Sequence, residues 1–144
     1  MNLSKSVKVT RVMDAVAAGT SNQTSSSVDM QGFDSVLFMA TFGTIVTNAV
    51  TSAKLRTSSD DSNFNDLLGT LIAVADDDDD QVVLLDLIKP RERFIQCIVN
   101  RATQNSTIDG VYAFQYLANA EPVTQDSSSV VGFELHVSPE EGTA

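Results

Sequence analysis

The sequence predicts an all-β chain, an antiparallel β-sandwich or jelly roll of roughly eight strands carrying an N-terminal arm. Three observations predict it. Short runs rich in Val, Ile, Phe and Tyr recur from residue 28 onward. Clusters of Ser, Asp, Asn and Gly separate them, which is turn chemistry. No long segment shows an apolar period of 3.6.

Residues 3–16 read as an arm and residues 17–27, "AAGTSNQTSSS", as a small polar linker that buries too little to offset its ordering entropy. The domain division is therefore 1–27 for arm and linker and 28–144 for the sandwich. Within the arm two patterns compete: a strand with Val7, Val9, Arg11 and Met13 on one face, or a short helix over residues 11–18.

"FDSVLFMATFGT" follows. Val36, Phe38, Ala40 and Phe42 share one face and Leu37, Met39 and Thr41 the other; both are largely apolar, so the strand is expected to be central. "VTSAKLRTS" alternates less clearly and reads as more exposed. "TLIAVA" and "QVVLLDLIK" are short apolar runs bounded by turns. The second alternates poorly, so one of its faces is a candidate subunit interface. "RFIQCIVNRA" is the next strand. "STIDGVYAFQYLAN" comes after it, with Tyr112, Phe114 and Tyr116 on one face. "VVGFELHV" alternates cleanly and predicts a half-buried strand. Pro90, Pro122 and Pro139 lie outside the runs, where a missing donor does no harm.

Residues 59–81 hold eight aspartates and no basic residue. Ser58 to Asn65 is a cluster of turn formers whose side chains bond nearby backbone N–H groups. One helical turn over residues 63–68 would point Phe64, Leu67 and Leu68 inward, with Gly69 as its C-cap. The five adjacent carboxylates of residues 76–80 repel one another and must face water or a counter-charge. The stretch reads as two solvated acidic loops around a buried strand, residues 70–75. The calcium alternative lacks the EF-hand spacing, its central Gly and its terminal Glu.

Composition narrows function. The 144 residues suit one domain, and 42% hydrophobic residues exclude a disordered chain. With 19 acidic against nine Lys and Arg, the net charge is −10, which repels phosphate backbones and anionic membranes. Neither nucleic acid nor membrane is an expected partner. A lone cysteine, Cys97, allows no intrachain disulfide, and "MNLSKSVKVTRVMDAV" lacks the apolar core of a signal peptide, so synthesis in a reducing cytosol is expected. His136 reads as a surface histidine beside Glu134, and Cys97 as a small buried hydrophobe. No nucleophile elbow, zinc-protease or nucleotide-binding motif is present. No enzyme activity, metal or cofactor is expected.

The scarce basic residues are the candidate contact sites: Lys5, Lys8 and Arg11 in the arm, Lys89, Arg91 and Arg93 in "KPRERF", and Arg101 further on. Pairing with nearby carboxylates such as Asp86 competes with recognition of a partner's carboxylates, which the arginine fork suits.

"GFDSVLFMATFGTI", "KLRTSSDDSNFNDLLGT", "LLDLIKPRERFIQCIVNRAT" and "IDGVYAFQY", in that order, span most of residues 28–117. Together they resemble the small structural proteins of tailed bacteriophages, often encoded beside the major capsid protein. The characterised members of this kind are capsid cement, or decoration, proteins with a jelly-roll fold. The resemblance implies a virion location on the outer surface of an icosahedral head, clamping of neighbouring capsomers, the major capsid protein as partner, and self-association as a homodimer. Two other readings stay open: another virion component, such as a tail or head–tail joining protein, and a discoidin-like glycan-binding jelly roll. The absence of Trp weakens the second, since sugars stack on exposed aromatic rings.

Overall fold

The computed structural model describes residues 1–143. It contains one helical turn, α1 (Leu3–Ser6), and eleven strands: β1 (Lys8–Met13), β2 (Val16–Gly19), β3 (Gln23–Thr24), β4 (Val28–Asp29), β5 (Phe33–Ile45), β6 (Val50–Ser58), β7 (Asn65–Asp66), β8 (Ile72–Val74), β9 (Val82–Ile88), β10 (Phe94–Ala102) and β11 (Ser106–Ala118).

All pairings are antiparallel. The first sheet runs β1-β11-β5-β9, with β2 extending the β1 position against β11. The second runs β3-β10-β6-β7, with β4 beside β10 and β8 beside β6. Three short pairs, β1 with β2, β3 with β4 and β7 with β8, each act as one interrupted strand. Eight positions result. Numbered along the chain, they stand in the order 1-8-3-6 and 2-7-4-5, the strand order of a jelly roll.

The core lies between the sheets. From the first come Val36, Phe38, Ala40 and Phe42 of β5 and Ile108, Val111 and Ala113 of β11; from the second come Ala53 and Leu55 of β6 and Ile95, Cys97 and Val99 of β10. Phe38 and Phe42 are 1% and 2% exposed, and each such side chain contributes about 1.5–3 kcal/mol through its removal from water. The predicted face assignment of β5 holds, and β5 lies between β11 and β9 as a central strand should. Tyr112, Phe114 and Tyr116 share the outer, half-buried face of β11.

Five expectations change. Residues 1–27 are built into the sandwich instead of extending from it: β1 pairs with β11 from Lys8↔Gln115 to Met13↔Val111, and Ile98 and Val99 pair with Thr24 and Gln23 of β3. The strand therefore prevails over the helix for residues 11–18. Second, β6 is less exposed than it reads, because Thr51, Ala53 and Leu55 form an inward row, all at 3% exposure or less. Third, residues 63–68 form no helical turn. Asn65 and Asp66 pair instead with Thr57 and Arg56, and Leu68 stands fully in solvent. Gly69 does take a positive φ of 76°, but in a turn closed by the Thr70 N–H on the Leu67 carbonyl. Fourth, of the supposed buried strand over residues 70–75, only Val74 is buried.

The fifth change is at the C-terminus. "VVGFELHV" joins neither sheet, and Val131, Phe133, Leu135 and Val137 are all exposed. All eight jelly-roll positions are already filled by residues 8–118. The chain after β11 instead returns along β1. Val123 N–H donates to the Lys5 carbonyl at 2.8 Å, and Val9 N–H donates to Gln125 Oε1 at 2.9 Å. Gln125 Nε2 in turn donates to the carbonyls of Val7 and Ser4 at 2.6 and 3.2 Å.

Candidate functional site

The seven basic residues singled out in the sequence fall in three places. Lys89, Arg91 and Arg93 converge on the turn between β9 and β10. Lys5, Lys8 and Arg11 lie on α1 and β1, at the opposite edge of the first sheet. Arg101 is inside the protein.

The β9–β10 turn is held open by its backbone. Lys89 adopts φ +51°, and its N–H donates to the Asp34 carbonyl at 2.8 Å, which pins the turn to the start of β5. Facing it is the β4–β5 turn, where Asp29 Oδ1 accepts the Gln31 N–H at 2.9 Å. Between the two turns lies an open depression of about 480 Å³, walled by Met30, Phe33 and Asp34 on one side and Lys89, Pro90 and Arg91 on the other.

Arg93 closes one end of this depression. Its Nε and Nη2 donate to Asp29 Oδ1 and Oδ2 at 2.8 and 2.7 Å, the bidentate fork, and Nη2 also donates to Gln31 Oε1 at 2.7 Å. Its guanidinium lies 5.1 Å from the Phe94 ring centroid. The Arg93 hydrogen bonds hold the Asp29 carboxyl below its ordinary value, and Asp29 raises Arg93 in return. Arg93 is therefore committed to its own chain. Lys89 and Arg91 are exposed and are the cations of this turn that are left without an ion pair among the described residues.

At the other edge, Arg11 pairs with Asp14 at 3.3 Å and sits 5.8 Å from the Tyr112 ring centroid, while Lys5 is exposed and Lys8 half-buried. Arg101 is 3% exposed and takes a different role. Its Nη1 donates to the carbonyls of Ser106 and Ala17 at 2.7 and 2.9 Å, and its Nε to that of Ser21 at 2.8 Å. Among the described residues it has no carboxylate partner, and burial lowers its pKa. A partner cannot reach it. Strand parity carries the signal: Arg101 shares a face with Ile95, Cys97 and Val99, all buried.

Of the aspartates in residues 59–81, Asp66 is ion-paired with Lys54 and Arg56 at 2.7 and 3.3 Å, while the turns on either side are fastened mainly by uncharged donors. Asp60 accepts hydrogen bonds from the Ser62 and Asn63 N–H groups and from the side chains of Asn63 and Ser58, and these hold its carboxyl well below the usual range, the Asn63 N–H first among them. In the run of residues 76–80, Asp78 accepts the Ala75 N–H at 2.9 Å, and Asp79 and Asp76 accept the N–H groups of Ile45 and Asn48. Two of the five carboxylates, Asp76 and Asp79, thus tie the β8–β9 turn to the end of β5 and the β5–β6 turn, while Asp78 closes the β8–β9 turn on itself. Among the described residues no three His, Cys, Asp or Glu side chains gather as a metal site.

Two other groups complete the chemical inventory. Cys97 is fully buried in β10, and burial pushes its thiol up to about 12. His136 stands in solvent with Nε2 2.5 Å from Glu134 Oε2. No helix among the described residues is long and apolar enough to cross a membrane.

Comparison with protein-family models finds no match, and comparison with curated proteins finds none. Among solved structures, the chain is similar to a chain of the infectious bursal disease virus Gx strain, with a TM-score of 0.55 at 11% identity. The match covers 81% of this chain and 34% of that one, so this chain spans about a third of the viral chain's length. At that identity the likeness is one of fold: a sandwich of two antiparallel sheets that also occurs in a virus structure.

Proposed function

We propose that this chain is a structural virion protein of the cement type, binding the outside of a tailed-phage icosahedral head and stabilising contacts between capsomers of the major capsid protein. The observation that carries the reading is the jelly-roll sandwich, a fold it shares with a chain of a virus structure, together with the order of sequence elements that resembles phage decoration proteins. The side chains fit an adhesive role. The one thiol is buried and protonated, the one histidine is solvated beside a carboxylate, and the buried guanidinium is spent on backbone carbonyls. None of these is placed to activate a nucleophile or a water.

Binding would act through linkage. A protein that binds only the assembled shell stabilises that shell in proportion to its occupancy, and many weak contacts add over the particle. Lys89 and Arg91, projecting from a turn fixed by Asp34 and by the Arg93–Asp29 fork, are the contact cations of this reading. Lys5, Lys8 and Arg11 form a second, separate set. The acidic loops at residues 76–80 would face solvent.

The test is co-sedimentation of the purified chain with expanded heads that lack it. Saturable binding, weakened by Lys89→Glu with Arg91→Glu, is the expected result. No binding to any form of the head would remove the cement role and favour a tail or joining component.

A further inference from the structure

The two edges of the first sheet are finished differently. The β1 edge is covered by the returning chain: Val9 N–H bonds Gln125 and Arg11 N–H donates to Ser129 Oγ at 3.1 Å. The β9 edge is bare, since β9 pairs with β5 alone among the described residues. Its outer row is Val82, Leu84, Asp86 and Ile88; the three apolar members are 52%, 53% and 65% exposed, and Asp86 accepts the Tyr116 hydroxyl at 2.7 Å. A seven-residue edge strand with three exposed apolar side chains and no covering strand is a template for another strand.

The same molecule carries an unpaired strand-like segment. Val131, Phe133, Leu135 and Val137 alternate with Gly132, Glu134 and His136, and the apolar members range from 48% to 108% exposed. The period of two matches the alternation of β9. Gln125 and Ser129 tether the root of this segment at the β1 edge, and Leu135 lies beside Leu3 and Phe114 near that edge. Its own β9 is across the sheet.

We propose that residues 130–137 of one copy add as a strand to the β9 edge of a second copy, running parallel to β9. The apolar row of the segment then lies along Val82, Leu84 and Ile88, with Asp86, held by the Tyr116 hydroxyl, between the last two. Charge selects the direction. In a parallel arrangement the residues after the segment, Glu140 and Glu141, run past Ile88 toward Lys89 and Arg91 of the second copy. The antiparallel arrangement would carry them to the aspartates of residues 76–80. Main-chain hydrogen bonds supply the affinity of such an addition, and the apolar rows with the terminal charges supply register and direction.

The isolated chain tests this without any capsid, so the outcome does not depend on the capsid reading. Sedimentation equilibrium of the full chain is expected to show concentration-dependent self-association. Removal of residues 130–144 is expected to give a monomer. Leu84→Lys, at an exposed position that leaves the fold intact, is expected to raise the dissociation constant on the order of tenfold or more. Lys89→Glu with Arg91→Glu should weaken association, and mixing that variant with Glu140→Lys, Glu141→Lys protein should restore it. A full chain that stays monomeric, or association untouched by the truncation or by Leu84→Lys, overturns the proposal. Failure of the charge swap to restore association overturns the parallel direction.

Discussion

Arg101, on β10 of one sheet, donates through Nη1 to the carbonyl of Ser106, on β11 of the other, at 2.7 Å. The same guanidinium holds Ala17 and Ser21, so a single buried cation fastens residues 17–21 across the end of the sandwich. Those residues read in the sequence as a free linker. Replacing Arg101 by Met withdraws its donors from the Ala17, Ser21 and Ser106 carbonyls and is expected to cost about 2–4 kcal/mol in denaturant unfolding. Arg101→Lys is expected to recover little, because an ammonium cannot reproduce the planar fork. An unchanged unfolding midpoint for Arg101→Met would remove this role.

Asp29 and Arg93 set a pH dependence. The folded-state pKa of Asp29 lies below its ordinary 3.8, so its ionised form adds stability that is complete above that value and lost as pH falls through the folded one. Melting temperatures of the parent and Asp29→Asn are therefore expected to differ by a constant small amount from neutral pH down to about pH 5, and to converge at lower pH. A gap that widens on acidification would contradict the pairing. The gap itself is small, since both side chains are substantially solvated.

Gly110 sits where β11 and β5 change register, with φ +141°. A Cβ there would meet the Met13 carbonyl at 3.2 Å and the Tyr112 hydroxyl at 3.3 Å. Gly110→Ala is expected to destabilise by about 1–3 kcal/mol, read by chemical denaturation. Gly132→Ala, with nothing within 4 Å of the added carbon, serves as the neutral control.

Cys97 reports on the core. With its thiol buried and raised to about 12, it is expected to resist maleimide or disulfide reagents at pH 8 until the sandwich unfolds. Labelling rates that track global unfolding in denaturant would place it as the structure does. Fast labelling of the native protein would not.

How far the sequence reveals this architecture depends on what kind of signal each segment carries. β5, β10 and β11 are legible because their inward rows are long and strongly apolar, as in Val36, Phe38, Ala40 and Phe42. β6 is obscured because Thr51 and Ala53 fill inward positions with a hydroxyl and a methyl. β1 is obscured because it is an edge strand, and Lys8 and Arg11 mark it as charged. "VVGFELHV" misleads in the opposite sense: alternation states which face a strand would bury, not whether a neighbouring strand is there. At the candidate site, the local basic cluster is visible, but the 64-residue separation between Asp29 and Arg93 hides which cation is already taken.

The incorporation of β1 also changes which experiment is informative. Deleting residues 1–18 would remove a strand bonded to β11 along Lys8–Met13 and unfold the sandwich, so loss of capsid binding would say nothing about contact. Charge reversal at Lys5 is the better probe, since Lys5 is exposed on the short α1 turn. A second contact through this edge predicts weaker head binding for Lys5→Glu at an unchanged melting temperature. Binding equal to the parent's would remove Lys5 from the contact set.

An image reconstruction of the virion that contains this chain tests the central claim most directly. Sandwich-shaped density is expected over the outside of the shell, seated at junctions between capsomers and absent from particles made without the chain. Density confined to one vertex or to the tail, or purified particles that lack the chain altogether, would contradict it.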